Sequence, residues 1–298
     1  MAYDNHAPCI HGEPTQLTPK VIRVVAPNPS VMTGPGTNSY LIGGDELLVL
    51  DPGPDDRGHI EMLAEVGAGR ISRIAITHGH PDHAPGARLL AQLTGAEIFG
   101  RPMLSGSELA DPLNITQISD GDIISTGDVV LRALHTPGHS SDHLCYLLIE
   151  ENLLFTGDHL MQGSTVVIAP PDGDMGQYMQ SLRRVRDLSP PPRALLPGHG
   201  MWMDDPQEIV SSVIAHREIR EEMVLKALSR LDEEDRSQGV RIDDMLSSVY
   251  SDTPEQLYPI ARYSLWAHLR KLATEGKAVT SDPDDILATW HVTGTSVV

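Results

Sequence analysis

Along residues 21–200 the apolar positions come in short runs broken by Gly, Pro and Asp, the spacing of strands rather than of long helices. Strands are expected at 21–25, 39–42, 46–50, 73–77, 97–99, 129–135, 144–149, 152–155 and 194–196. A 3.6-residue periodicity predicts helices at 58–66, 84–94 and 176–188. Helices interspersed among strands place this region in the α/β class. The strands are too many for one small open sheet, so two stacked sheets between helical layers are expected.

After Pro197-Gly198-His199-Gly200 the pattern changes. Residues 206–231 read as one long amphipathic helix, with apolar Ile209, Val213, Ile214, Ile219, Met223, Leu228 and Leu231. The charge run Asp232-Glu233-Glu234-Asp235 reads as solvated loop and Gly239 as a breaker. A boundary is therefore expected near 232–239, dividing a large domain, 1–231, from a small one, 232–298. Beyond it, helices at 242–249, 255–261 and 263–275 and extended pieces at 278–280 and 288–292 outline a winged-helix-like fold.

Composition narrows the chemistry. With only Cys9 and Cys145 among 298 residues, a disulfide scaffold and a thiolate zinc cluster are excluded. A formal charge of −19 opposes loose attraction to nucleic-acid backbones or anionic lipid. The first residues lack a basic segment followed by an apolar one, and no apolar run approaches membrane-spanning length, so no membrane association and a cytoplasmic location are expected. Histidine stands out, with 14 copies that cluster.

The sharpest cluster is Thr77-His78-Gly79-His80-Pro81-Asp82-His83, placed where the apolar strand 73–77 ends and a helix begins. Strand-to-helix turns are where α/β proteins gather their sites. Imidazole and carboxylate are ligands that zinc accepts, and four such groups within six residues crowd a single tetrahedral ion. Two ions are the natural solution, one divided between His78 and His80, the other between Asp82 and His83, at the ~3.5–4 Å separation of bimetallic hydrolases. Each half needs more ligands. His139, Asp158 and His199 stand in similar positions, each after an expected strand and beside a glycine.

The set His78-x-His80-x-Asp82-His83, His139, Asp158 and His199 resembles the five motif blocks of the metallo-β-lactamase superfamily. The resemblance extends through Gly36-Thr37-Asn38-Ser39-Tyr40-Leu41, Asp51-Pro52-Gly53, Ser140-Ser141-Asp142-His143, the arm His216-Arg217-Glu218-Ile219-Arg220-Glu221 and the winged-helix-like tail. It implies a four-layer αββα sandwich. It also implies that His78, His80 and His139 hold the first metal, that Asp82, His83 and His199 hold the second, and that Asp158 bridges both. Zinc is the expected metal, with manganese or iron as alternatives. Asp51, His135 and His143 are expected to orient ligands by hydrogen bonds rather than to bind metal.

Two divalent ions outweigh the two carboxylates among their ligands, so a bridging water should ionise near neutral pH and serve as nucleophile. Asp82 is expected to orient that water and pass its proton onward. A small positive pit in an acidic chain suits small molecules with an anionic or electrophilic oxygen, which favours ester, thioester, lactone or lactam hydrolysis. Cleavage of single-stranded RNA, which the resemblance also implies, is the alternative. Residues 238–298 carry 5 Lys/Arg against 8 Asp/Glu, unlike a basic nucleic-acid face. A third reading makes the tail a partner-binding module and the cage structural, against which stands the completeness of the ligand set. No Gly-x-Ser-x-Gly elbow or P-loop is present. Cys145 is expected to be buried, while Arg217 and Arg220 are expected either to reach the site mouth or to be solvated.

Overall fold

A computed structural model describes residues 3–101, 115–163, 165–234 and 238–293. They form two compact units: Met1–Thr136, Ser141–Val166 and Arg186–Gln207 in the first, and Pro137–Ser140, Val167–Val185 and Glu208–Val298 in the second.

The first unit is built on two sheets. Seven strands, β1 (Thr15–Thr18), β2 (Val21–Val25), β3 (Asn38–Gly43), β4 (Leu47–Leu50), β5 (Ile71–Ala75), β6 (Glu97–Gly100) and β7 (Ile115–Gln117), pair in sequence order. The pairing is antiparallel through β4 and parallel beyond it. The second sheet has the order β12 (Ala194–Pro197), β11 (Leu153–Gly157), β10 (Leu144–Leu148), β9 (Val129–His135), β8 (Ile123–Thr126), with only β11 and β12 parallel.

Alternation along the strands sorts side chains to two faces. Tyr40, Ile42, Leu48, Leu50 and Ala75 join Leu131, Ala133, Tyr146 and Phe155 of the second sheet in one core. Leu41, Leu47, Val49 and Ile74 face the other way, onto Ile60 and Leu63 of α1 (Arg57–Gly67) and Leu90 of α2 (Gly86–Thr94). Burial on both faces explains why β4 reads as an unbroken apolar run and β3 carries Tyr40-Leu41-Ile42 without alternation. β1, β7 and β8 were not among the expected strands.

The second unit contains α3 (Met175–Arg186, all but its last residue) and α4 (Pro206–Glu234, from Glu208). It also holds α5 (Ile242–Val249), α6 (Tyr258–Thr274) and the hairpin of β13 (Ala278–Thr280) and β14 (Trp290–Val292). Val224 and Leu228 of α4 pack with Met245, Leu246, Leu265, Leu269, Leu272 and Trp290. Three expectations are corrected here. The helices expected at 255–261 and 263–275 are a 3-10 turn, Glu255–Leu257, running into the single helix α6, which Pro259 opens without interrupting. Ile219, expected on the apolar face of α4, is 58 % exposed. The charge run is not solvated loop: α4 continues to Glu234, and Asp232, 1 % exposed, accepts from His291 Nδ1 at 2.7 Å and from the Val292 backbone at 3.2 Å. Asp235 lies outside the described residues.

Arg217 and Arg220 are buried within the second unit rather than solvated. Arg217 lies over the Tyr178 ring, and Arg220 lies over Tyr250 and pairs with Asp252 at 2.9 Å.

Candidate metal centre

The site grows from strand ends of the first unit. Directly after β4, Asp51 adopts a left-handed backbone (φ 49°), a conformation that aspartate tolerates better than most residues. Its buried carboxylate takes three hydrogen bonds. Oδ1 accepts from the Thr77 backbone N–H at 2.7 Å, while Oδ2 accepts from Thr77 Oγ1 at 2.7 Å and from His83 Nδ1 at 2.8 Å.

These bonds decide where the ligand lone pairs lie. With Nδ1–H of His83 donating to Asp51, the neutral ring keeps its lone pair on Nε2, the atom a cation would take in place of a proton. Thr77 spends its hydroxyl proton on Asp51, so Oγ1 accepts from His78 Nδ1 at 3.0 Å and the His78 lone pair also falls on Nε2. His199 donates from Nδ1 to the Gly36 carbonyl at 3.2 Å, with the same result.

The lone pairs converge. His83 Nε2 lies 3.4 Å from His199 Nε2, 3.3 Å from Asp158 Oδ1 and 3.6 Å from Asp82 Oδ2, and His199 Nε2 lies 3.2 Å from Asp82 Oδ2. His78 Nε2 faces His80 Nδ1 at 2.9 Å. Ligand atoms of His78, His83 and Asp158 form one group, and those of Asp82, His83 and His199 another, within 4.8 Å of one another in each. Room for this comes from Gly198, where a Cβ would sit 2.7 Å from both Asp158 Oδ1 and His83 Cε1.

Electrostatics point the same way. Burial alone would lower His83, but Asp82, Asp158 and Asp51 outweigh it and hold its pKa well above the usual value. Burial likewise opposes protonation of His199, yet Asp158 and Asp82 raise it to about 9. Against burial, His83 and His199 hold Asp82 down to about 2 and Asp158 well below the carboxylate range. Burial, with His83 and His80 nearby, drives His78 well down. Electron-pair donors crowded together and starved of positive charge are what a divalent cation satisfies, so the donor set fits zinc or a similar ion.

His139 belongs to the second unit. Its turn is tied there by Ser181 Oγ donating to the Pro137 carbonyl and by the Asp174 backbone N–H donating to the Gly138 carbonyl, each at 2.8 Å. His139 Nδ1 donates to the Val167 carbonyl at 2.8 Å, which places the lone pair on Nε2. His143 is buried in the first unit and accepts from the Asp158 backbone N–H at 3.1 Å through Nε2. Its Nδ1 donates to Thr136 Oγ1 at 2.9 Å, and that hydroxyl donates to Cys145, which is fully buried. His135 stands apart, its Nε2 donating to the Ser141 carbonyl at 3.0 Å. His159 is buried.

Three positioning groups escaped the sequence reading. Thr77 relays Asp51 to His78. Asp142 Oδ2 accepts from the Gly79 backbone at 3.0 Å and so braces the loop between His78 and His80. Asn38 Nδ2 donates to the Pro197 and Gly200 carbonyls at 2.9 and 2.8 Å, on either side of His199. Their only sequence signal is membership of the motif blocks.

Stacked sheets bearing a histidine and aspartate cage at their strand ends define a metal-dependent hydrolase of the α/β class. Residues 32–199 match the metallo-beta-lactamase superfamily and 242–290 match the beta-lactamase associated winged helix domain. The chain belongs to the metallo-β-lactamase superfamily, has that fold with a C-terminal winged-helix domain, and is a hydrolase. It is 32% identical over 284 residues to the Beta-lactamase-like protein 2 homolog of Drosophila melanogaster, covering 91% of this chain and 94% of that one. It is 36% identical over 231 residues to an Atrochrysone carboxyl ACP thioesterase of Aspergillus fumigatus, covering 75% and 69%. A beta-lactamase domain protein from Burkholderia ambifaria superposes with a TM-score of 0.78 at 18% identity, over 95% of this chain and 94% of that one. Among the described residues no helix is long and apolar enough to cross a membrane.

Proposed function

We propose that the chain hydrolyses small acyl substrates, thioesters foremost, with two divalent ions, zinc by the chemistry of the donors. The convergence of His83 Nε2, His199 Nε2, Asp82 and Asp158, with both imidazole protons committed elsewhere, carries this reading. His78 and His80, together with His139 on the strength of the family resemblance, would hold one ion. Asp82, His83 and His199 would hold the other, and Asp158 would be shared. When bound, such ions supply Lewis acidity and lower the pKa of water to about 7.

The protein's own groups would do the rest. Asp51 and Thr77 keep the ligand lone pairs on Nε2, and His143 fixes the backbone of Asp158. Asp82, 26% exposed at its side chain where Asp158 is 10%, would orient the attacking water and accept its proton, then release it to the leaving group.

The thioester preference draws on the Aspergillus relative, which is named for that activity. Against RNA stands the charge pairing on α6. Arg262 lies 3.5 Å from Asp243, Arg270 2.7 Å from Asp284, and Lys271 2.6 and 2.5 Å from Glu221 and Glu275, so carboxylates offset the positive charge of this helix. Steady-state assays of zinc-loaded protein on thioester, lactone, lactam and single-stranded RNA substrates test the reading. Thioester turnover that disappears in His80→Ala is expected. RNA cleavage that disappears in the same variant, without thioester turnover, would reverse the ranking.

A further inference from the structure

Among the described residues, Val167 and Ile168 belong to no helix or strand, yet the peptide group that joins them is held at both ends. Its carbonyl accepts from His139 Nδ1 at 2.8 Å. Its N–H donates to Ser264 Oγ at 3.3 Å. Ser264 is buried, lies on α6 and falls inside the stretch that matches the winged-helix domain. His139, Val167, Ile168 and Ser264 all belong to the second unit.

A peptide group is planar, so anchoring its N–H also fixes the direction of its carbonyl. That carbonyl in turn sets the ring of His139, because the torsion between Cβ and an imidazole is broad and a hydrogen bond selects its angle. Once Nδ1–H is aimed at Val167, Nε2 is aimed as well. Hydrogen bonds in series polarise one another, so losing one weakens the next. The backbone beside His139 is held separately. Gly138, at φ +137°, lies so close to α3 that a Cβ would come 2.3 Å from Tyr178 Cα, and Arg217 covers the Tyr178 ring. With the turn held there, rotation of the imidazole is the freedom left to control.

The geometry points to Ser264 as a positioning residue for the metal centre, and to α6 as the element through which the winged-helix domain helps to build it. Ser264 acts through the Val167–Ile168 peptide to keep the His139 lone pair in the direction an ion requires. This rests on the proposed role of His139 as a ligand and adds to it where that ligand's orientation is decided. A serine that merely satisfied a buried N–H would lower stability when removed and leave metal affinity alone.

The test reads zinc affinities by competition with a chromophoric chelator and stability by urea unfolding of metal-free protein. Ser264→Ala should weaken the binding of one of the two ions roughly three- to tenfold, the size of one net hydrogen bond, and leave the other within twofold. Ser264→Thr, which keeps the hydroxyl, should recover most of that loss. Ile242→Val trims the core of the same unit at a comparable cost in stability, and it should leave both affinities within twofold of wild type. Both affinities unchanged in Ser264→Ala, or an equal fall in Ile242→Val, overturns the inference. If the wild type binds fewer than two zinc ions, the two-ion reading fails, and the relay is judged on metal-free protein by nitrogen NMR of the histidine rings. The His139 Nδ1 resonance should be that of a protonated nitrogen, should shift in Ser264→Ala and should return in Ser264→Thr. A resonance that stays in place in Ser264→Ala overturns the inference.

Discussion

Asp51→Asn replaces one oxygen with an amino group and keeps the shape, yet it should cost the protein its metal affinity. In the native arrangement Oδ2 receives protons from both Thr77 Oγ1 and His83 Nδ1. An amide nitrogen in that place donates instead. Thr77 must then turn its hydroxyl proton toward His78 Nδ1, and His83 must present Nδ1 as acceptor. Both imidazoles move their proton to Nε2, the atom aimed into the cage, and lose the lone pair a metal needs. Loss of a partner that orients a metal-binding histidine typically costs 10–100-fold in affinity, about 1.4–2.7 kcal/mol. Asp51→Ala differs in kind. It orphans three buried donors at about 1–3 kcal/mol each, so it should lower the urea midpoint of metal-free protein far more than Asp51→Asn does. Zinc affinity from competition with a chromophoric chelator, read beside urea unfolding of the metal-free proteins, separates the two effects. Zinc binding by Asp51→Asn within twofold of wild type would refute the lone-pair argument.

Other outcomes follow from the same geometry. Gly198→Ala forces a Cβ to within 2.7 Å of Asp158 Oδ1 and His83 Cε1, so it should destabilise the protein by about 1–3 kcal/mol and weaken zinc binding, measured by urea unfolding and chelator competition. His59, buried against Ser39 Oγ at 2.8 Å, has its pKa lowered by burial to about 4. The unfolded chain therefore binds the extra proton first, and stability falls as pH drops from about 6.5 toward 4, by up to about 3 kcal/mol from this group. The stability difference between wild type and His59→Gln should shrink over that interval, and a difference independent of pH would contradict the assignment. Asp232→Ala leaves the Val292 N–H and His291 without their acceptor. It should destabilise the second unit by about 1–3 kcal/mol, read as faster amide exchange in β13 and β14.

What the sequence discloses depends on how local its cause is. β3 and β4 declare themselves because both of their faces are buried. β1 reads Thr-Gln-Leu-Thr, β7 has three residues, and β8 exposes Ile123; each owes its pairing to neighbours rather than to its own pattern. The cage residues stand out because their types and spacing are rare. Thr77, Asp142 and Asn38 do not, since a threonine, an aspartate and an asparagine near a turn have many ordinary uses. Asp232 was misread for a related reason. A charge run looks solvated until the fold brings His291 and the Val292 backbone to one of its carboxylates. Arg217 and Arg220 found aromatic faces that no spacing along α4 announces.

The proposed chemistry depends on ions gathered by one cage. Crystals of hydrolytically active protein, with diffraction recorded on both sides of the zinc absorption edge, test this most directly. Two anomalous peaks are predicted, one against His83 and His199 and the other against His78 and His80, with Asp158 reaching both. Fully active protein with no anomalous density among these residues would contradict it.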